Sequence, residues 1–366
     1  MNTNTARAGI GLIYWCFFNR ADAWFVLKVE LTNIKFNWDA GSSAIDAINI
    51  RQDYTHEYDI SNGEWVKDGT NIPVCYTTNK AVTIKARFTV QPASIDSADI
   101  WAISVGSGGS LGDVFETNVT FSGGVSVGDA AGYVEFKISG TTPNCVKKTM
   151  TDLWAWKMEN VNESGSPEWD LNTSGVHTVY TILNEPTSPW GNSAGNQKNA
   201  WTTILDYSCD WAATATDEAN TVAKITTGAN SGFGKIYDGS QTHTPGNMSH
   251  LSAMVAGSVV DCRDMSGVVE LFTRILGGAT VQFRRVDGPF YYKRILPIGS
   301  STWGDGGWNF HQFGWHADSV NDACVHLKES EPYVPVHDDL NGNYKTNLFD
   351  SGTWSPLTPD TITDID

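Results

Sequence analysis

A single cysteine stands at the predicted start of an amphipathic helix in the stretch VVDCRDMSGVVELFTRILGG, residues 259–278. Asp261 occupies the position of a helix N-cap, and Asp264 follows three residues later, as in a capping box. Cys262 is therefore predicted to be the first helical residue, where the positive end of the helix dipole favours a thiolate. A thiolate attacks carbonyl groups, so the position indicates covalent catalysis. The alternative interpretation is a small buried residue.

A thiolate at this position needs a cationic partner, because the carboxylates of Asp261 and Asp264 oppose its formation. His311 lies in the aromatic, strand-like stretch WNFHQFGWH, and Asp322 follows on a predicted second strand. The chain order of cysteine, histidine and acid is that of a papain-type thiol triad. His316 is the alternative base, but it is six residues from Asp322 whereas His311 is eleven residues away. Two paired strands joined by a turn fit the longer separation, so His311 is preferred.

Residues from about 201 to 328 resemble the core of the bacterial transglutaminase-like proteins, which belong to the papain superfamily. In that family a cysteine opens a helix that ends in Leu-Gly, as the Cys262 helix does here at Leu276-Gly277. The resemblance implies that Cys262 is the nucleophile, His311 the base and Asp322 the residue that orients the imidazole. It further implies a cysteine-dependent acyl transferase or hydrolase, such as a cysteine protease or amidase. Such an enzyme would act on peptide or carboxamide bonds of a protein or peptide substrate through an acyl-enzyme on Cys262.

The chain differs from the family pattern beside each of the three triad residues. Val260 stands where the family usually has Gly, and Phe313 follows the histidine where the family often has Trp. Ala323-Cys324 replaces the Pro-Thr that is common after the acid. The alternative function is therefore a catalytically inactive transglutaminase-like scaffold that serves binding or surface assembly.

Composition and charge predict a soluble, strand-rich protein. Gly at 35, Trp at 15 and Tyr at 12 residues are typical of strand and loop architectures rather than helical bundles. The net charge of −17 repels phosphate backbones and anionic lipid surfaces, which argues against nucleic acid as a partner. No apolar run approaches the ~20 residues that cross a bilayer, so no membrane insertion is predicted. The oligomeric state is left open.

The chain carries six cysteines in a scattered arrangement, at Cys16, Cys75, Cys145, Cys209, Cys262 and Cys324. They are too few for a disulfide scaffold, and no Cys-x-x-Cys pair occurs. Cys209 and Cys324 are predicted to lie in the interior, either as a disulfide or as core contacts. No cofactor and no metal ion is predicted, because the oxygen-rich stretch 337–343 has its Gly at the wrong position for an EF-hand loop.

Three segments are predicted along the chain. Residues 1–23 hold an apolar run that imitates a secretory signal, which would place the protein outside the cell or at its surface, but a first strand or a disordered end is the preferred interpretation. Residues 24–187 alternate in short β-branched and aromatic runs, which predicts an immunoglobulin-like sandwich of about eight strands. Within it, Trp154 and Trp156 share one strand face and are predicted to be core residues rather than a sugar-binding platform.

Residues 188–366 begin where Pro and Ser interrupt the strand pattern, and helical spacing follows. Trp201, Ile204, Leu205, Cys209 and Ala212 share one face of a first helix, and Ala219, Val222 and Ile225 indicate a second. The Cys262 helix is the third, and Gly277-Gly278 are predicted to end it. The predicted fold class is α+β, with an N-terminal antiparallel β-sandwich followed by a transglutaminase-like, papain-like α+β thiol domain.

Overall fold

The computed structural model describes residues 28–38, 46–105, 111–159 and 168–366. The predicted segment 1–23 and Cys16 lie outside the described residues. Several strands in the first half alternate buried and more exposed residues, because successive side chains of a strand point to opposite faces. These strands are β1 (Lys28–Lys35), β2 (Ile50–Arg51), β3 (Trp65–Val66), β4 (Val74–Thr77), β5 (Ala81–Gln91), β6 (Ser97–Ser104), β7 (Val114–Ser122), β8 (Val125–Ser126), β9 (Val134–Thr141), β10 (Lys147–Asp152), β11 (Trp154–Glu159), β12 (Trp169–Thr173) and β13 (Val176–Ile182).

Two sheets form most of the first half. Nine strands form an antiparallel sheet in the order β12-β11-β6-β7-β8-β5-β1-β3, with β9 paired to β5 and β7. A second sheet has the order β10-β13-β4, and in it β13 and β4 run parallel. Trp154 and Trp156 are 1% and 0% exposed, so the prediction that both belong to the core is confirmed.

The second half combines short strands, five helices and one long hairpin. The strands are β14 (Ala200–Trp201), β15 (Ile236–Tyr237), β16 (Met248–Ser249), β17 (Val259–Val260), β18 (Gln282–Pro297), β19 (Gly304–His316), β20 (Ser319–Asn321), β21 (Val325–His326), β22 (Val336–His337), β23 (Phe349–Gly352), β24 (Ser355–Pro356) and β25 (Asp364–Ile365). The helices are α1 (Thr202–Trp211), α2 (Glu218–Gly232), α3 (Leu251–Ala256), α4 (Cys262–Arg274) and α5 (Lys345–Leu348), and a π-helical turn spans Leu340–Tyr344.

Helix α4 packs between α2 and a seven-stranded antiparallel sheet with the path β21-β18-β19-β20-β22, to which β23 and β24 add on β18. Gly314 allows the close approach of β19, because a Cβ there would lie 2.5 Å from Val269 Cγ1 on the helix. Helix α4 ends at Arg274, and Gly277 three residues later has a φ of 92°, which favours glycine, so the predicted stop lies just beyond the end of the helix. The packing thus fixes the distance between the sheet and the helix.

The predicted α+β fold class is wrong. Strands hold 42% of the residues and helices only 17%, in several antiparallel sheets, so the protein is mostly β and shows no specifically papain-like α+β domain. The first half is also divided differently from the predicted sandwich of about eight strands, since it contains thirteen described strands and a parallel pair. Helical spacing predicted α1, α2 and α4, but the many two-residue strands have no periodicity that a sequence can display.

The buried hydrophobic residues form two clusters. One fills the first half around Phe88, Phe136, Trp154 and Trp156. The other surrounds α4, and it includes Tyr180 and other residues of the first half. The domain boundary near residue 187 stays a prediction. Within the described part of the chain, no helix is both long and apolar enough to cross a membrane.

Candidate active site

Cys262 is the first residue of α4, as the sequence predicts. Asp261 is the N-cap, and its Oδ1 accepts from the backbone N–H groups of Arg263 at 2.9 Å and Asp264 at 3.0 Å. Asp264 Oδ2 in turn accepts from the N–H of Asp261 at 3.2 Å, which completes the capping box. The N–H of Cys262 is not among the groups that the box occupies. Because the capping box fixes the start of the helix, it also fixes the position of the Cys262 thiol and of the Cys262 backbone N–H.

His311 and Asp322 form a buried hydrogen-bonded pair beside this helix start. His311 lies on β19, and Asp322 comes directly after β20, which is the neighbouring strand. His311 Nε2 lies 2.9 Å from Asp322 Oδ2, and the two side chains are 0% and 1% exposed. The hairpin between β19 and β20 therefore brings together two residues that are eleven positions apart.

Beside Asp322, the Cys262 thiol also acts on the imidazole and raises its pKa. His311 Nδ1 is buried and makes no completed hydrogen bond among the described residues, whereas Nε2 is held by Asp322. In resting enzymes the bond from a base to its nucleophile is often long and shortens only when substrate binds. The arrangement leaves Nδ1 as the nitrogen that can exchange a proton with the thiol.

The electrostatics of the pair favour a charged imidazole. Burial opposes protonation of His311, but the Asp322 carboxylate outweighs burial and raises the pKa of the imidazole well above its usual value, with a smaller contribution from Cys262. Burial likewise acts to raise the pKa of Asp322. The His311 cation and three hydrogen bonds to the carboxylate hold that pKa below its usual value. At neutral pH the pair is therefore an imidazolium and a carboxylate.

Further side chains fix the orientation of both groups. The ring of Trp308 stacks on His311 with 4.5 Å between ring centroids and an interplanar angle of 14°. Asp322 Oδ1 accepts from the N–H of Cys324 at 2.8 Å, and Asp322 Oδ2 accepts from the hydroxyl of Tyr344 at 2.6 Å. No sequence pattern points to Tyr344, because it lies 22 residues beyond Asp322 in a segment without a clear pattern. Trp308 belongs to the aromatic stretch that carries His311.

The structure brings together all three predicted site residues, Cys262, His311 and Asp322. It places Asp322 just after a strand rather than on one. The alternative base, His316, lies at the end of β19, where its Nε2 is 4.0 Å from Glu218 Oε1 on α2. Asp322 is thus bound to His311, which is the histidine that the separation along the chain favoured.

No described cysteine forms a disulfide, and the oxygen-rich stretch caps a turn. Cys75, Cys145, Cys209, Cys262 and Cys324 are free thiols, so the disulfide alternative for Cys209 and Cys324 is wrong. Both are fully buried, which confirms the prediction that they lie in the interior.

Asp339 accepts from the N–H of Asn341 at 2.9 Å and caps the π-helical turn. The described residues contain no cluster of three or more His, Cys, Asp or Glu arranged to hold a metal ion.

Comparison with known proteins assigns the chain to no family. No protein-family model matches the chain, and no curated protein matches it.

Proposed function

We propose that the protein is a cysteine-dependent enzyme that transfers acyl groups from peptide or carboxamide bonds to water or to an amine. The observation that supports the proposal best is the position of His311, whose Nε2 is bound to Asp322 while the Cys262 thiol acts on the same ring. A nucleophile, a base and a group that orients the base are the parts that thiol acyl transfer requires.

The proposed reaction has two steps through a thioester. His311 Nδ1 carries the proton of Cys262 in an ion pair before the attack, and the thiolate sulfur forms a bond to the carbonyl carbon of the substrate. The tetrahedral intermediate then expels the amine, which receives the proton from Nδ1. In the second step water or another amine loses a proton to Nδ1 and attacks the thioester, and the thiolate leaves. Asp322 stays ionised throughout and stabilises the imidazolium.

The start of α4 can also stabilise the oxyanion of the tetrahedral intermediate. The first N–H groups of a helix have no partner within the helix, and the capping box takes those of Arg263 and Asp264. The N–H of Cys262 is therefore the natural donor toward an oxygen that develops negative charge beside the sulfur. We assign this role to the Cys262 amide.

The test is the direct observation of the acyl-enzyme. The protein is mixed with an activated ester such as p-nitrophenyl acetate, and intact mass and peptide mapping are recorded within the first turnover. We expect one added acetyl group on Cys262, which hydroxylamine or a primary amine removes. Both His311→Ala and Asp322→Asn should slow the acylation, because the first removes the base and the second removes the carboxylate that orients it.

Two matched variants give the control. Cys262→Ala should abolish the added mass, whereas Cys145→Ala should leave it unchanged, although Cys145 is a more exposed thiol than Cys262. Acetyl groups that persist in Cys262→Ala, or that map to Cys145 in the wild type, would contradict the proposal.

The second candidate function is the inactive scaffold that serves binding or surface assembly. The burial of the site favours it, because Cys262 is only 4% exposed and His311 and Asp322 are buried. A substrate can reach the sulfur only if neighbouring side chains move. The acyl-enzyme experiment separates the two functions, since a scaffold with a closed site would show no acylation of native Cys262.

A further inference from the structure

The carboxylate of Asp322 receives more hydrogen bonds than its contact with His311 requires. Oδ2 accepts from two donors, His311 Nε2 at 2.9 Å and the Tyr344 hydroxyl at 2.6 Å. Oδ1 accepts from the N–H of Cys324 at 2.8 Å. The backbone carbonyl of Asp322 accepts from the hydroxyl of Tyr333. Two tyrosines from the following segment therefore bind one residue, but only one of them touches the carboxylate.

Tyr344 is held rigidly where it makes this contact. It ends the π-helical turn Leu340–Tyr344, and it is 0% exposed. Its ring lies 5.2 Å from that of Phe313 and 5.1 Å from that of His337 between centroids. A hydroxyl group that is buried this completely has no water to bind and must donate to the carboxylate. Burial also raises the pKa of Tyr344 well above its usual value, so it remains a donor.

We propose that Tyr344 is a positioning residue for Asp322. Its hydroxyl fixes the rotamer of the Asp322 side chain and binds part of the carboxylate charge that otherwise acts on His311. In this way Tyr344 sets the proton affinity of the imidazole. This inference rests on the proposed function for its catalytic meaning, although the link from Tyr344 through Asp322 to His311 can be measured without any reaction. The shared acceptor is the reason for the effect, because two donors on Oδ2 compete for the same lone-pair density.

The direction of the effect follows from that competition. Without the Tyr344 hydroxyl, the carboxylate charge acts more fully on His311 and stabilises the imidazolium, so the pKa of His311 rises. The ionisable groups that surround the pair are unchanged by the substitution. Those that act on the pair are Cys262 at the start of α4, Cys324 after β20, and Tyr333 and His337 from the segment around β22; Tyr237 from β15 acts on both cysteines, and Asp261 acts on Cys324.

The experiment is a pH titration of the imidazole nitrogens by NMR in full-length protein that carries ¹⁵N-labelled histidine. His311→Gln identifies the His311 resonances among those of eight histidines. In Tyr344→Phe we expect the His311 midpoint to rise by about half a pH unit, because one donor to the carboxylate is lost. Tyr333→Phe is the matched control, since it also removes one buried tyrosine hydroxyl from Asp322 but only from the backbone carbonyl, and it should leave the midpoint at the wild-type value.

A double substitution guards against a general structural effect. If Tyr344 acts through the carboxylate, adding Tyr344→Phe to Asp322→Asn should produce no further shift of the His311 midpoint. Near-ultraviolet circular dichroism confirms that each variant keeps the native packing. An unchanged midpoint in Tyr344→Phe, an equal shift in Tyr333→Phe, or the same shift in the Asp322→Asn background would overturn the inference.

The outcome is independent of the acyl-enzyme experiment. If Cys262 is not acylated but the His311 midpoint still shifts in Tyr344→Phe, the proposed function is refuted and the Tyr344 link stands. In an active enzyme, Tyr344→Phe should also reduce the rate of Cys262 acylation about tenfold, because the base is held less well. Acylation at the wild-type rate together with an unmoved midpoint would refute the Tyr344 link alone.

Discussion

At the scale of single residues, the imidazole of His311 is restrained by two neighbours. Asp322 holds Nε2, and Trp308 stacks on the ring face. An imidazole that cannot rotate keeps the same nitrogen toward the thiol, which lowers the entropic cost of forming the reactive geometry. The site is in this sense organised before any substrate binds.

A second buried carboxylate, Glu270, makes stability depend on pH. It lies on α4 and is 0% exposed, and its Oε1 accepts from the N–H of Ile362 at 2.9 Å and lies 3.2 Å from Arg274 Nε. Burial raises the pKa of Glu270 to about 8, although Arg274 and the Ile362 N–H oppose the shift. The folded chain therefore holds more protons than the unfolded chain between an unfolded pKa of about 4.3 and the folded pKa. Glu270 accordingly lowers the free energy of unfolding as pH rises through that window.

We predict that Glu270→Gln removes this dependence, because glutamine keeps the Oε1 acceptor but does not ionise. The variant should gain stability relative to the wild type as pH rises from 5 to 8, with a slope of up to about 1.4 kcal/mol per pH unit. Urea unfolding at several pH values measures the difference. Glu329→Gln is the control, since Glu329 is an exposed carboxylate that pairs with Arg294 at 3.0 Å. Parallel stability curves for the wild type and Glu270→Gln would contradict the prediction.

The sequence identified the residues of the site that carry recognisable local signals. Asp261 and Asp264 form a capping box at a fixed spacing, and the separation between His311 and Asp322 suits two paired strands. Tyr344 could not be found in this way, because its contact with Asp322 depends on how a segment far along the chain folds back. Such a contact is tertiary, and it leaves no pattern in the neighbouring residues.

At the scale of secondary structure elements, the site depends on the packing of α4 against β19. The helix contributes Cys262 and the strand contributes His311, and the missing side chain at Gly314 allows the two elements to approach closely. The three longest helices of the second half were predictable, since each buries one face with a period of 3.6 residues. Strand β18 runs from Gln282 to Pro297 and pairs with β19, with a shift of register between Asp287 and Phe290.

The error in fold class also arises at this scale. The segment from Pro332 onward forms β22 to β25, the π-helical turn and α5, which bring Tyr344 to Asp322. Strands of two to four residues are stabilised by the neighbours with which they pair, not by alternation within themselves. The parallel pairing of β25 with β16 joins residues more than 110 positions apart. A sequence pattern could not reveal that pairing.

At the scale of the whole molecule, the two halves of the chain share a hydrophobic cluster. Tyr180 of the first half donates to Asp206 on α1 at 2.6 Å, and the N–H of Leu183 donates to the carbonyl of Leu276 at 3.0 Å. Trp190 lies between the halves in sequence and is 4% exposed. Its Nε1 donates to the carbonyl of Leu271 on α4 at 2.9 Å. The segment that follows the first half thus supports the helix that carries Cys262.

We predict that Trp190→Ala lowers the free energy of unfolding by about 3–5 kcal/mol, the usual cost of removing a buried aromatic side chain. The ring of Trp190 also packs edge-to-face on Trp201 at 5.3 Å, so that contact is lost as well. Urea unfolding followed by fluorescence measures the change. Tyr291→Ala is the control because Tyr291 is 64% exposed, and it should change stability little.

Limited proteolysis of the same variants tests whether Trp190 holds the segment around residue 187, where the domain boundary is predicted. We expect Trp190→Ala to be cut there faster than the wild type, since the lost ring loosens the segment. A loss below about 1 kcal/mol in Trp190→Ala would contradict the role of Trp190 as a core residue.

The most direct test of the proposed chemistry is the rate of iodoacetamide labelling at Cys262 at neutral pH, followed by mass spectrometry in native protein. We predict that wild-type Cys262 is labelled faster than the other described cysteines, because His311 supplies the cation that a thiolate needs. His311→Ala should slow the labelling most, Asp322→Ala should slow it partly, and His316→Ala should leave the rate unchanged. Wild-type Cys262 that resists labelling until the protein is denatured, or slower labelling that occurs only in His316→Ala, would contradict the assignment of Cys262 and His311 as nucleophile and base.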